Sequence, residues 1–347
     1  MIYCLIFRQS LLLGYLCNMA HKQLNIGNVI LPHNVVLAPM SGITDKPFRH
    51  VVRKWGGGLV VSEMIASHAF LQNVWIELQK LKGAAHDEAP LSIQIAGWDP
   101  AMMAEAAKLA EMSGAQIIDI NMGCPAKKVT NRLSGSALMQ DELAVAKICQ
   151  AVVNAVSLPV TLKMRLGWDD EHKNAPTIAR IAEAEGIKLL AVHGRTRTQM
   201  YKGNADWHKI AETVDAVSIP VFANGDITSL KDASDAMKYS GAAGLLVGRG
   251  AVGRPWFIAQ VADHINDVTV RARPCIKDII ETMRIQTEQM ALLQGERGIK
   301  MLRKHLAAYC DEIEAPELRA KLMKAVTAAE VFTSIDEYLS SYDEKAA

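Results

Sequence analysis

Eight short apolar runs, at residues 35–38, 59–61, 91–95, 117–120, 160–163, 189–192, 221–223 and 244–247, succeed one another with helix-forming stretches between them. Each is short for a buried helix and too continuous for a strand with one wet face. Such runs, separated by helices, are what a parallel sheet covered on both faces requires. Eight of these units in about 230 residues predict a (β/α)8 TIM barrel, with a doubly wound open sheet as the alternative. Residues 24–33 read as a hairpin that plugs the bottom of the barrel. After Pro274 the strand signals stop. Residues 275–340 read as amphipathic helices, broken at Gly295-Glu296-Arg297-Gly298 and at Pro316. The chain therefore divides into a barrel over residues 19–268 and a helical domain over 275–340.

Residues 1–18 stand apart. The stretch Leu11 to Cys17 is apolar, but Arg8, Gln9 and Ser10 precede it, it is too short to span a bilayer, and no small-residue cleavage site closes it. Met19 is the expected start, with residues 1–18 an upstream extension. The 38 Lys+Arg nearly balance the 37 Asp+Glu, so an anionic partner has to be held by local patches. The six cysteines are scattered, with no C-x-x-C pair and no histidine at zinc spacing. That argues against a disulfide framework and a structural zinc and fits a reducing cytoplasm.

Barrels of this kind place their chemistry where strands end. Here those ends carry Pro39-Met40, Glu63, Gln94, Asn121 with Cys124, Lys163 with Arg165, His193-Gly194-Arg195, Asn224-Gly225-Asp226 and Gly248-Arg249-Gly250. The last two loops, glycine-rich with one arginine, suit a phosphate group. A phosphate anchor, a lysine ending strand five and a glutamine on strand three suit flavin mononucleotide (FMN). Lys163 can sit near the pyrimidine edge of the ring system and favour an anionic reduced flavin, and Gln94 can hydrogen-bond the ring edge. Cys124 lies between Gly123 and Pro125 with Lys127 and Lys128 close behind. It reads either as a structural cysteine at a turn or as an acid or nucleophile.

Taken together, Ala38-Pro39-Met40, Asn121-Met122-Gly123-Cys124-Pro125, Lys163-Met164-Arg165, His193-Gly194-Arg195-Thr196, Asn224-Gly225-Asp226 and Gly248-Arg249-Gly250 resemble the motifs of the tRNA-dihydrouridine synthases, most closely the bacterial B-type subgroup. The resemblance covers about residues 24–335. It implies a flavin-dependent barrel with a helical C-terminal domain that holds tRNA, and NADPH (or NADH) as the reductant. Reduced flavin would give hydride to C6 of a uracil extruded from the D-loop, and Cys124 would protonate C5. It also implies flavin contacts at Pro39, Met40, Gln94, Lys163, Asn224, Gly225, Asp226, Gly248 and Arg249. Asn121, Arg165 and His193 would line the base or its ring neighbourhood.

The chemistry is consistent with this. Hydride addition to a neutral pyrimidine builds negative charge, and a cysteine, with an ordinary pKa near 8.5, is mostly protonated at neutral pH and can supply the proton. Lys127 and Lys128 should then point outward to RNA phosphates rather than turn the thiol into a thiolate. Arg297, Lys300, Arg303 and Lys304 recur three to four residues apart and can share one helix face toward tRNA. Residues 268–347 hold 12 Lys+Arg and 13 Asp+Glu, so only this local cluster, and not the domain's charge, favours RNA. Two rival readings stay open: a related flavoenzyme acting on a free pyrimidine, and a tRNA-binding chaperone built on an inactive barrel. The expected partner is tRNA, for a monomer with no obligate protein partner and no membrane association.

Overall fold

The computed structural model describes residues 23–68 and 89–346; the expected extension at residues 1–18 and the Met19 start lie outside them. Two short strands open the described chain, β1 (Leu24–Ile26) and β2 (Val29–Leu31), paired antiparallel across Gly27 at φ +59°. The barrel strands follow: β3 (Val35–Leu37), β4 (Leu59–Val61), β6 (Leu91–Ala96), β7 (Ile117–Met122), β8 (Val160–Arg165), β9 (Leu189–His193), β10 (Val221–Asn224) and β11 (Gly244–Val247). A two-residue strand, β5 (Ile65–Ala66), pairs only with the upper end of β6. All barrel pairings are parallel, each strand bonds the next, and β11 returns to β3 while β4 pairs with β6, so the sheet closes on itself. All eight runs thus become strands of a closed barrel, and the open-sheet alternative falls.

Alternation along these strands sorts the side chains. Val36, Leu59, Val61, Ile117, Leu189, Ala191, Phe222 and Leu246 point into the barrel, where Ile26 and Leu31 of the hairpin join them, fully buried. Their neighbours Val35, Leu37, Val60, Ile118, Leu190 and Val192 point outward into the layer shared with the helices. The hairpin is therefore the plug that its sequence suggests.

The covering helices are α1 (Lys46–Lys54), α2 (Pro100–Met112), α4 (Glu142–Ala155), α5 (Ala175–Ala184), α6 (Trp207–Val214), α7 (Leu230–Ser240) and α8 (Phe257–Ile265), with a one-turn α3 (Lys127–Thr130) above the mouth. Asp45, Asp99, Asp141 and Asp206 each cap a helix N-terminus through a side-chain oxygen, and Ser229 with Asp232 forms a capping box.

Two ladders run further than the apolar runs that announce them. β7 and β8 continue through the pairs Asn121–Lys163 and Met122–Met164, and Arg165 pairs with His193 of β9. Asn121 and Arg165, just past the apolar runs, thus sit on the strands themselves. The helical region holds α9 (Ile276–Glu312), α10 (Pro316–Leu322) and α11 (Ala328–Ala346). Inside α9, Gly295 leaves helical geometry at φ 57° and ψ −144°, and Pro316 opens α10, so both expected breaks occur. These helices have their own core, with Met283, Leu302, Leu306, Leu318, Val331 and Ile335 around Trp256 from the barrel side. Against α1, the Trp55 indole N–H donates to Thr282 Oγ1 at 3.0 Å, and Phe48 stacks on His305 at 4.7 Å.

Candidate active site

Cys124 lies half-buried just past the end of β7. Its peptide groups are held on both sides. Its N–H donates to Asn121 Oδ1 at 3.0 Å, and its carbonyl accepts from the Ser136 N–H at 3.1 Å and the Ser136 hydroxyl at 2.9 Å. The glycine that this loop depends on is Gly135, at φ +60°, where a Cβ would come within 2.8 Å of the Cys124 carbonyl oxygen. Gly123, beside the cysteine, has no positive φ, and a Cβ there would meet the Met164 backbone at 3.4 Å. Lys127 and Lys128 on α3 are exposed, pointing outward as expected.

Below the cysteine the barrel carries a polar layer. Gln94 Nε2 donates to Asp119 Oδ2 at 2.6 Å, the Thr161 hydroxyl to Asp119 Oδ1 at 2.6 Å, and Asn121 Nδ2 to Gln94 Oε1 at 2.8 Å. Arg165, 1% exposed, donates from Nε to the Gly123 carbonyl at 2.8 Å and from Nη1 to the carbonyls of Thr196 and Met200 at 2.8 and 2.9 Å. Three expected ligand contacts are thereby qualified. Gln94, Asn121 and Arg165 sit at the mouth, but their polar atoms bond protein, because buried donors and acceptors must be paired. Their first task is to build the Cys124 loop.

Beside them, on the neighbouring strands β8 and β9, lies the cationic wall. Burial, then the neighbouring Arg165, brings Lys163 down to about 8, against the opposing pull of Asp119 and Cys124. Burial also lowers Arg165 to about 10. His193 is held well below its ordinary range by burial and then by Lys163, Arg165, Arg195 and Arg249, so it is a neutral imidazole at neutral pH. Burial alone would raise Asp226, but bonds from Arg195 and the Ala205 N–H keep it below its usual value. Its two oxygens collect Arg195 at 2.5 and 2.9 Å and Arg249 at 3.0 Å.

The two glycine loops are tight. Gly225 has φ +118°, with a Cβ position 2.6 Å from Ala205 Cβ, and a Cβ on Gly248 would lie 3.2 Å from Met40 Sδ. Asn224 Nδ2 donates to the Leu246 carbonyl at 2.6 Å and ties these loops together. Pro39, Asp119, Thr161 and Lys163 line one cavity inside the barrel beneath the mouth. Pro39, Met40, Lys163, His193, Asn224, Gly225, Asp226, Gly248 and Arg249 thus share the C-terminal mouth. Close-packed glycine backbone, one exposed arginine and buried cations form a fitting cradle for a flavin phosphate and an electron-rich ring.

Sequence reading passes over two residues as separate site members. Arg195, 2% exposed, braces Asp226 and the carbonyls of Lys202 and Gly203. Tyr201, 56% exposed, has the guanidinium carbons of Arg165 and Arg249 at 5.6 and 5.4 Å from its ring centre. Arg195 could have been found from its place in the His193-Gly194-Arg195 run. Tyr201 gives no signal of its own, since its position follows from the fold of residues 196–205.

On α9, Arg297, Lys300 and Lys304 are exposed, and Lys304 Nζ lies 3.5 Å from where a Cβ on Gly42 would stand, above the β3–α1 loop. Arg303 differs from the other three. Half-buried, it donates to the carbonyls of Ala325 at 2.8 Å and Lys324 at 3.3 Å, and so joins α9 to the end of α10.

A family model described as dihydrouridine synthase (Dus) matches residues 36–343. A probable tRNA-dihydrouridine synthase of Rickettsia bellii is 49% identical over 287 residues, 82% of this chain and 88% of its own. One of Rhodobacter capsulatus is 46% identical over 325 residues, covering 93% of this chain and 99% of its own. The tRNA-dihydrouridine synthase B of Pseudomonas aeruginosa is 46% identical over 298 residues, 85% of this chain and 90% of its own. Among solved structures, histamine dehydrogenase from Rhizobium sp. 4-9 matches with a TM-score of 0.54 at 15% identity, over 77% of this chain and 50% of that one; this likeness concerns the barrel fold alone.

Proposed function

This chain belongs to the dihydrouridine synthase family, and from that premise we propose that it is a flavin-dependent oxidoreductase that reduces the C5=C6 bond of a tRNA uridine to 5,6-dihydrouridine. The observation that carries the reading is the half-buried Cys124 thiol, clamped by both its peptide groups at a barrel mouth walled by Lys163, Arg165 and a neutral His193.

FMN is the cofactor of this reading: Asn224, Gly225, Asp226, Gly248 and Arg249 would hold its phosphate, and Pro39, Met40, Gln94, Lys163 and His193 its ring system. Bound there, it would supply hydride for the uracil ring, with NADPH (or NADH) as the reductant. The chain's own part is positional and electrostatic. Asn121 and Arg165 hold the loop beside the base, Lys163 meets negative charge that develops on the ring, and Cys124 gives its proton to C5. A uracil inside folded RNA reaches the thiol only if extruded from its stack. Lys127, Lys128, Arg297, Lys300 and Lys304 are the candidate phosphate contacts, on α3 and on the helical domain of residues 275–340, and the D-loop is the expected target.

Purified protein should be yellow and, with NADPH and tRNA lacking the modification, should form dihydrouridine detectable by nucleoside mass spectrometry. Reduction of free uracil or orotate as fast as of tRNA would overturn the reading in favour of a small-pyrimidine enzyme. A colourless protein that cannot be reconstituted would favour an RNA chaperone.

A further inference from the structure

Three neighbouring strands carry one polar side chain each at the same height inside the barrel. Gln94 on β6 pairs in register with Asp119 on β7, and Asp119 with Thr161 on β8. Such a layer is costly in an apolar interior unless every atom is bonded, and here every atom is. Both Asp119 oxygens accept, one from Thr161 and one from Gln94. Asn121, two residues further along β7 on the same face, donates to Gln94 and accepts from the N–H groups of Gly123 and Cys124 at 3.2 and 3.0 Å.

The sense of these bonds is the same read from either end, the Asp119 carboxylate or the two loop N–H groups. A carboxylate oxygen has no proton to give, so Gln94 must turn its NH2 toward Asp119. That leaves the Gln94 carbonyl for Asn121, which must therefore donate its own NH2. Asn121 Oδ1 is then the atom that faces the loop, where two N–H groups need an acceptor. If Asn121 were reversed, its NH2 would face the two N–H groups at the cysteine; if Gln94 alone were reversed, its NH2 would face that of Asn121 and its carbonyl the Asp119 carboxylate. Burial raises the Asp119 carboxyl above its usual range. A proton taken up on Oδ1, however, can be donated to Thr161, and Oδ2 still accepts from Gln94.

We propose that Asp119 is a positioning residue that anchors the inner end of the Gln94–Asn121 amide chain in the one direction the loop accepts, and through it fixes the backbone of Cys124 and the aim of its thiol. The catalytic consequence rests on the reading of Cys124 as proton donor; the effect on the loop does not.

Two variants of the full chain separate direction from charge and from mere filling of space. Asp119→Leu keeps the shape and removes the acceptors. Asp119→Asn keeps one oxygen, which Gln94 selects, while its NH2 goes to the Thr161 hydroxyl. The first readout is the rate of Cys124 alkylation by iodoacetamide, followed by peptide mass spectrometry with exposed Cys275 as the internal reference. Cys149 and Cys310 do not interfere, since burial pushes both thiols up to about 12. The rate should change several-fold in Asp119→Leu and stay near wild type in Asp119→Asn.

The second readout is single-turnover reduction of tRNA by pre-reduced enzyme. It should fall about a hundredfold in Asp119→Leu, the loss expected when a reacting group moves by about 1 Å, and be largely kept in Asp119→Asn. Flavin reduction by NADPH should be nearly unchanged in both. Unchanged alkylation in Asp119→Leu overturns the proposal, and so does an equal loss in the two variants, which would make the charge and not the direction matter. Where Asp119→Leu does not fold, Gln94→Met interrupts the same chain one bond nearer the cysteine; it should change alkylation alike, and no change there also overturns the proposal. If the wild type forms no dihydrouridine, the functional reading fails while the alkylation readout still decides this one.

Discussion

Two buried polar clusters, one inside the barrel at its mouth and one between the barrel and the helical region, are built differently. At the mouth, Asp119, Gln94 and Asn121 leave no side-chain oxygen or nitrogen without a partner. At the seam between barrel and helices, Asp45 Oδ2, both ring nitrogens of His305 and Gln286 Nε2 are buried with no hydrogen bond of ordinary geometry. His305 Nε2 and Asp45 Oδ2 stand 4.0 Å apart. The first cluster is drawn from adjacent parallel strands, whose register dictates the distances. The second joins the N-cap of α1 to α9, and its position is set by packing alone. A fully paired network holds one geometry, whereas a half-paired one costs stability and specifies less. Substitutions at the mouth should therefore act on rate, and those at the seam on stability.

The largest effect expected is at the mouth. Cys124→Ala should keep its flavin and still oxidise NADPH, while dihydrouridine formation falls by about 10²–10⁴, the usual contribution of a positioned acid. Flavin loss in that variant would mean that the thiol is part of the architecture, and the contrast with the seam would vanish. Next comes Lys163. With its value at about 8, the cation is present at neutral pH and disappears as pH rises through about 8. Single-turnover uridine reduction should decline over that range, by up to about tenfold, and Lys163→Gln should be slow throughout and lack that limb. A decline that persists in Lys163→Gln would assign it to another group.

The helical side offers a smaller test. Lys300→Glu with Lys304→Glu should weaken tRNA binding and reduce the slope of log affinity against log salt by about 1.5, given roughly 0.7–0.9 per phosphate contact. Flavin reduction should be unaffected. Arg303→Glu should instead lower Tm, because Arg303 holds the end of α10. If only Arg303→Glu weakened tRNA binding, the exposed lysines would be an ordinary solvated face.

How much of this could be read beforehand follows from the range of the forces involved. The barrel was legible because a strand buried on both faces must be apolar throughout, and eight such runs leave few folds open. The plug was legible from alternation, since Ile26 and Leu31 fall on one face of a short hairpin. The mouth was legible as a set of residues because each strand ends in its own polar group. Their tasks were not. That Gln94 and Asn121 bond each other before any ligand depends on register across β6, β7 and β8, which no single segment encodes. The role of Gly135 was hidden because its tight contact is with Cys124, eleven residues earlier. Arg303 looks like its neighbours along the helix, and only the placement of α10 distinguishes it.

The smallest expected effect is at the seam, and its sign can be worked out. Burial, with Glu63 nearby, raises Asp45 to about 6 against the lowering pull of the Phe48 N–H, Lys304 and Arg49. Burial and Lys304 lower His305 to about 3, with the Ile43 backbone acting the other way. The folded protein thus keeps a proton on Asp45 that the unfolded chain releases, a contribution full below about pH 4 and lost as pH rises through about 6. It also refuses a proton that unfolded His305 accepts, so that contribution is lost as pH falls from about 6.5 toward 3. In wild type the two oppose each other between pH 4 and 6. His305→Phe, which keeps the ring against Phe48, should raise Tm at pH 4.5 relative to pH 7. Asp45→Asn, which keeps the cap on α1, should lower it, each by about 3–5 °C relative to the wild-type difference. Parallel pH profiles for all three proteins would mean that the seam is wet enough to titrate normally, and the distinction between a paired and an unpaired cluster would then not extend to energetics.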